Sequence, residues 1–220
     1  MDNQSGNGAG EATQPRAKAA PKPMLGLATE INPRLFRRRR RCRQKSAVDT
    51  MKTFETMGRE ELLRALAMFA KNWLAHDGCW FLAAEERFGI DTAIELDASS
   101  WARFAAAEAR RIMATFGIPA GGGLPALEEA LALRLYSVVN AQRVEWSEDR
   151  QRLRFFMDRC RVQEARQRKG LPDFSCNPVG TVEFETFAKT VDPRIVTRCL
   201  QCPPNAPEGQ SCAWEFTLGS

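Results

Sequence analysis

The stretch CNPVGTVEFETFAKTVDPRIVTRCLQC, residues 176–202, decides the fold. Asn177-Pro178 opens it as an N-cap and a first helical residue, because proline's missing N–H is no loss in the first turn. The helix is predicted to run to about Val191, and Arg194 to Leu200 reads as a strand. Such a helix carries the chain ~20 Å out at about 1.5 Å per residue, and the strand brings it ~20 Å back at about 3.3 Å per residue. The excursion closes on itself, so Cys176 and Cys199 are predicted to meet. Cys202 sits where the strand gives way to Pro203, and a partner strand spans Ser211 to Leu218. An antiparallel pair places Cys202 and Cys212 at one end of the sheet. Along the last strand Cys212, Trp214 and Phe216 alternate with Ala213, Glu215 and Thr217, which turns the Cys212 thiol to the core side.

Upstream, Arg143-Val-Glu-Trp146 and Arg152-Leu-Arg-Phe-Phe156 flank a polar turn at Ser147 to Arg150, a hairpin signal. A short helix from about Cys160 to Lys169 is closed by Gly170. Before the hairpin the period is helical. Leu62, Leu66, Phe69, Trp73 and Trp80 recur at helical spacing, Gly89 caps the run, and Gly78 is a candidate break. A second helix is predicted from Ser99 or Ser100 to Phe116, ending at Gly117, and a third from Leu124-Pro125 through Tyr136 to about Asn140. This order predicts an α+β domain: N-terminal helices packed on a small antiparallel sheet with a C-terminal cysteine-rich hairpin.

The 220 residues carry a formal net charge of +5. Residues 1–50 hold 11 Lys/Arg against 4 Asp/Glu, which leaves 21 against 23 for residues 51–220. The basic character therefore belongs to a Gly-, Ala- and Pro-rich segment that ends in Arg37 to Arg41, Arg43 and Lys45. Nothing in it can bury a core. Two readings of residues 1–50 stand side by side. One is a disordered basic tail that contacts nucleic acid or an acidic surface; the other is a start-site artefact, since Met51 leads directly into the first amphipathic helix. Residues 51–220 are expected to form one domain, with nucleic acid a partner only through the tail. No apolar run approaches the ~18 residues a membrane span requires, and no short apolar stretch precedes a small-residue cleavage site. The expected location is cytoplasmic.

Five of the seven cysteines fall after residue 159: Cys160, Cys176, Cys199, Cys202 and Cys212. In a reduced compartment clustered thiols are more often ligands or catalysts than disulfides. Cys176, Cys199, Cys202 and Cys212 are the expected metal ligands. Zinc is preferred because four thiolates suit its tetrahedral site. The alternatives are an iron–sulfur cluster, disfavoured by the absence of a short-interval cysteine run, and plain small core residues. Cys160 is a fifth candidate ligand, a reactive thiol near a helix N-terminus, or a core residue.

Gly180 through Leu218, with Cys199, Cys202 and the closing Cys212-Ala-Trp-Glu-Phe216, resembles the C-terminal part of the 4-vinyl reductase type of small-molecule-binding domain. In the zinc-containing aromatic-sensor members of that group, ligands occupy positions matching Cys176, Cys199, Cys202 and Cys212, with an acidic residue where Cys199 stands. The departure makes this site all-thiolate. From Asn72-Trp-Leu-Ala-His-Asp-Gly78 to Phe216 the chain is similar to an uncharacterised family of bacterial cytosolic proteins related to the L-2-amino-thiazoline-4-carboxylic acid hydrolase-like group. That resemblance is specific in Cys160-Arg-Val-Gln-Glu-Ala-Arg-Gln-Arg-Lys-Gly-Leu-Pro-Asp173 and in Asp192-Pro193-Arg194.

His76, the one histidine, falls at helical offsets from Phe69, Trp73 and Trp80. These four are the candidate ligand-binding residues: an imidazole among aromatic rings suits a flat, apolar ligand with one polar group. A core histidine in an ordinary aromatic stripe is the plain reading. A hydrolase would use His76 as general base, Asp77 as its orienter and Cys160 as nucleophile, although adjacent helical residues face different ways. The basic cluster Arg159, Arg161, Arg166, Arg168 and Lys169 is either a site for a carboxylate or phosphate or a solvated face. Two classes of function follow. One is a zinc-containing small-molecule-binding domain for an aromatic or heterocyclic ligand, with oligomer formation open. The other is a hydrolase-like enzyme acting on a small heterocyclic or thiol-containing acid. A closed all-cysteine site favours the first.

Overall fold

The computed structural model describes residues 53–206 and 211–219, within the unit Met51–Ser220. The segment 1–50, and with it both readings of the basic tail, lies outside the described residues. A 3-10 turn at Phe54–Thr56 precedes helices α1 (Arg59–Phe88), α2 (Ile90–Phe116), α3 (Gly123–Ala132) and α4 (Tyr136–Val139). The hairpin β1 (Ala141–Trp146) and β2 (Arg152–Arg159) follows, then α5 (Arg161–Arg168), α6 (Asn177–Val191), β3 (Ile195–Gln201) and β4 (Cys212–Leu218). The fold is α+β, with one antiparallel sheet in the order β1-β2-β4-β3.

α6 packs on α2 and on the sheet and leaves one face, along Asn177, Thr181 and Lys189, exposed. Its Phe184 ring stacks on Trp214 of β4 at 4.7 Å and meets Phe155 of β2 at 5.3 Å. On the opposite side, α2 presents the fully buried Ala105 and Ala109, small residues that allow the close approach of α2 and α6. Phe184, Phe187, Trp214 and Phe216 form the centre of the core, each worth roughly 1.5–3 kcal/mol of burial. The outer face of the sheet is solvated, and there Glu215 is clamped between Arg154 at 2.9 Å and Arg198 at 2.6 Å.

Three helix boundaries differ from those expected. α1 runs unbroken through Gly78, since one glycine costs only about 1 kcal/mol in a helix 30 residues long. α2 starts at Ile90, directly after Gly89, whose φ of 86° makes the turn; Ser99 and Ser100 lie inside the helix and only mimic a cap. The third helix stops at Ala132, where the amides of Leu133 and Arg134 bond back three residues, to Ala130 and Leu131, and tighten the last turn. Tyr136 then opens the separate one-turn α4.

Asp192, at the junction of α6 and β3, ties this corner to the start of α3, which gives a physical reason for the Asp192-Pro193-Arg194 sequence. Its fully buried carboxylate accepts from the amides of Gly123 and Arg194, both at 3.0 Å, and from the Arg194 guanidinium at 3.0 and 2.6 Å. Gly123 reaches it with a φ of +66°, a conformation other residues rarely adopt. The Arg194 hydrogen bonds hold the carboxyl down at about 2. A depressed folded value adds stability that is full above the unfolded value of about 3.9 and is lost as the pH falls through about 2. Asp192→Asn is expected to cost about 2–3 kcal/mol at neutral pH. Denaturant melts of both proteins from pH 6 down to pH 2 check this, because the gap between them should narrow on the acid side.

Candidate functional site

Four of the cysteines come together as the path of residues 176–202 predicts. Cys176 is the N-cap of α6, Cys199 is near the end of β3, Cys202 follows β3, and Cys212 opens β4 opposite Met157. Regular alternation would point Cys199 and Cys202 to opposite sides of the strand. A bulge between Cys199 and Gln201, where two steps on β3 face one on β4, turns the strand end and brings the two sulfurs to 3.2 Å. Cys202 is the hub: its thiol is held far above the usual range by hydrogen bonds to Cys176 and Cys212, by burial, and by its bond to Cys199. Cys176 is pushed down, first by the hydrogen bond from Cys202. The Trp214 indole donates to the Cys212 sulfur at 3.4 Å. That ring in turn requires Gly180, where a Cβ would stand 2.7 Å from Trp214 Cζ2.

Two thiolates on one zinc ion stand about 3.8 Å apart, given Zn–S bonds of ~2.3 Å and tetrahedral angles. The Cys199–Cys202 separation is shorter, that of hydrogen-bonded thiols. Accordingly, among the described residues no group of three or more His, Cys, Asp or Glu side chains is arranged to hold a metal ion as it stands. Four cysteines are donors of the number and kind that zinc takes, and Cys199 and Cys202 would have to part by about half an ångström to share one ion.

Beside the thiols lies a cavity of about 370 Å³ between α1, α5, α6 and the sheet. Its wall is largely apolar, with Phe81, Trp101, Phe174 and Trp214 among the rings, and Cys160, Cys176 and Cys212 form part of it. The loop that carries Cys176 is fixed by two residues of α5. Gln163 donates to the Phe174 carbonyl at 2.7 Å and accepts from the Phe174 amide at 3.0 Å. Arg166 donates to the Pro172 carbonyl at 2.8 Å and forks onto Glu85 of α1 at 2.6 and 3.0 Å. These bonds account physically for the Cys160 to Asp173 sequence: it is the brace of the cavity wall.

Three carboxyls also line the cavity: Asp77, Asp97 and Glu183. Burial raises all three. Asp97 reaches about 7, through burial first and then the charges of Asp77 and Glu183, against a hydrogen bond with Trp101. Behind them Arg134, only 2% exposed, pairs with Glu108 at 2.9 Å and Glu183 at 2.7 Å. The Glu183 contact is off-angle, so neither Glu183 Oε1 nor Arg134 Nη2 has a hydrogen-bond partner. The Arg134 guanidinium faces four rings, the nearest being Phe187 at 4.7 Å. Sequence reasoning passed over Asp97, Arg134 and Glu183. The signal was present, as Glu183 interrupts the apolar face made by Val179, Phe184 and Phe187.

The structure does not gather the expected aromatic pocket. His76 is exposed, Phe69 is 49% and Trp80 69% exposed, and none of the three lines the cavity. Trp73 points inward, but into a cluster with Trp101, Phe104 and Tyr136. The inner face of α1 is offset by one residue from the apolar stripe, through Ala70, Leu74, Asp77 and Phe81. One residue is ~100° on a helix, enough to move His76 outside. Of the expected catalytic set, Asp77 and Cys160 line the cavity and His76 does not. Burial, the largest cause, pushes the Cys160 thiol up to about 12, so it is protonated at neutral pH and a poor nucleophile. Cys79, also in the wall, is a free thiol.

Residues 55–218 match the Family of unknown function (DUF6125), and the chain belongs to that family. No curated protein matches it. A solved structure to which it is similar is that of a trafficking protein particle complex subunit 3 from Naegleria fowleri, covalently bound to palmitic acid. The identity is 11% and the TM-score 0.42, over 73% of this chain and 97% of that one. Among the described residues no helix is long and apolar enough to cross a membrane.

Proposed function

We propose that this member of a family without an assigned function is a small-molecule-binding domain, in which the cavity takes an aromatic or heterocyclic ligand and the four cysteines behind it hold a structural zinc ion. The observation that carries the reading is the cavity itself. It is largely apolar, braced by Gln163 and Arg166, lined by two indoles and a few buried polar groups, and of the size range typical of organic-ligand sites, ~300–1,000 Å³. The resemblance of residues 180–218 to the 4-vinyl reductase type of domain supports it. Cys176, Cys199, Cys202 and Cys212 would be the zinc ligands; four thiolates leave no open position, so the ion would supply rigidity rather than chemistry. Cys176 and Cys212 belong to both the cluster and the cavity wall, so metal binding would stiffen the ligand site.

A hydrolase-like reading, suggested by the resemblance to the L-2-amino-thiazoline-4-carboxylic acid hydrolase-like group, keeps one supporting observation, the presence of Cys160 in the cavity wall. The protonated state of that thiol and the outward position of His76 count against it.

Gly78→Leu tests the cavity. Gly78 lines it, and a Cβ there meets nothing within 4 Å. The added side chain should obstruct the cavity while raising helix propensity by about 0.5–1 kcal/mol. Binding of small aromatic compounds, read by tryptophan emission and by thermal shift, is expected to weaken at least about tenfold, or ~1.4 kcal/mol, while the ligand-free melting temperature holds or rises. Unchanged binding in the variant would place the ligand elsewhere.

A further inference from the structure

One side of the cavity is a slot lined by residues of α1 and of the segment around α5. On α1 the slot residues Lys71, Ala75 and Gly78 stand at offsets of four and seven, one helix face. On α5 they are Arg161, Ala165 and Arg168, again one face, followed by Lys169 just after the helix. The small residues Ala75, Gly78 and Ala165 leave room there, and Lys71, Arg161, Arg168 and Lys169 bring positive charge to its edge.

The charge at this rim is not balanced. Residues 159–169 carry the cations Arg159, Arg161, Arg166, Arg168 and Lys169 and one acid, Glu164. Arg166 is already committed to Glu85. Glu164 is gripped by Arg159, and Arg161 and Arg168 approach it only to 3.7 and 3.6 Å. Among the described residues neither Lys71 nor Lys169 has an ion-pair partner. The inner wall carries the carboxyls Asp77, Asp97 and Glu183, and Arg134 behind them is paired with Glu108 and Glu183. An acid group would therefore meet carboxyls rather than cations at depth and be attracted at the rim, and its apolar remainder would be drawn inward by the rings.

We propose that the ligand of this cavity is an apolar organic anion, a carboxylate whose ring system fills the cavity and whose acid group stays outside on Arg168 and Lys169 at the end of α5. This rests on the cavity's being a ligand site, as proposed above, and adds the class and orientation of the ligand.

Calorimetric titration with three matched probes tests it: 2-naphthylacetate, 2-(2-naphthyl)ethanol and 2-(2-naphthyl)ethylammonium. At low salt the carboxylate is expected to bind at least about tenfold more tightly than the alcohol, and its advantage shrinks at ~0.5 M salt as exposed charges are screened. Arg168→Gln with Lys169→Gln, both at exposed positions, should remove the advantage of the carboxylate and leave the binding of the alcohol in place. Gly78→Leu should weaken all three. Equal affinity for carboxylate and alcohol, or tightest binding of the ammonium, with Gly78→Leu still weakening them, would overturn the anionic class and leave the cavity reading standing. Binding of none of the three to the unaltered protein would overturn both.

Discussion

On the proposed zinc site, Cys202→Ser is expected to abolish zinc binding and to unfold the β3–β4 end of the domain. Cys202 is the sulfur that Cys176, Cys199 and Cys212 all surround, so its loss removes the centre of the cluster rather than an edge. Structural zinc contributes on the order of 10 kcal/mol in small metal-dependent folds. Here most of the core is independent of the metal, and a loss of several kcal/mol, read as a lower denaturant midpoint, is the expected scale. Purified protein should carry about one zinc per chain, and a chelator should lower the unaltered protein's stability toward that of the variant. Cys79→Ser, which changes an exposed thiol outside the cluster, should keep the metal. Protein purified free of metal, with a melting point that added zinc leaves unchanged, would reduce the cluster to four packed thiols. A brown protein containing iron and sulfide would replace zinc by a cluster.

Arg134→Ala should be comparably damaging for a different reason. Burial works against the Arg134 charge, yet the Glu183 and Glu108 carboxylates hold the guanidinium well above its ordinary value. Removing it strands two carboxyls in the core and empties the space among four rings, a loss of about 3–5 kcal/mol by analogy with other broken buried pairs. The sign of the pH dependence follows. Burial already raises Glu183, and without Arg134 it rises further. A carboxyl whose folded value lies above its unfolded value of about 4.3 favours folding at low pH and loses that contribution as the pH climbs through the folded value. The deficit of the variant should therefore widen as the pH rises above the unfolded value of about 4.3. Combining Arg134→Met with Glu108→Gln and Glu183→Gln should recover much of the stability, because neutral groups of similar volume replace the ions. Denaturant melts at several pH values separate these outcomes, and a pH-independent loss would assign Arg134 a packing role alone.

Local signals carried most of the element list. The Ser147 to Arg150 turn, Gly89, Gly117 and Gly170 after helices, and Pro178 at the start of α6 all stand where chain punctuation puts them. Each is a short-range backbone preference, readable without knowing what packs nearby. The errors came where packing overrode such preferences: helix α1 crosses Gly78, α2 includes Ser99 and Ser100, and the third helix yields at Leu133 to Arg134.

What the sequence by itself determined is the α+β order of elements and the return of the chain from Cys176 to Cys199, because helix rise and strand rise fix how far each segment travels. Only the tertiary structure decided which side of each element faces inward. The β3 bulge puts Cys199 and Cys202 together against strand alternation, and the packing of α1 on α2 and α4 turns Asp77 in and His76 out. A helix with an apolar stripe on more than one side has several ways to lie down at similar cost in exposed area. The choice among them is made by the neighbours, here Trp101, Phe104 and Tyr136 around Trp73, and those contacts join residues too far apart in the chain for any local pattern to record.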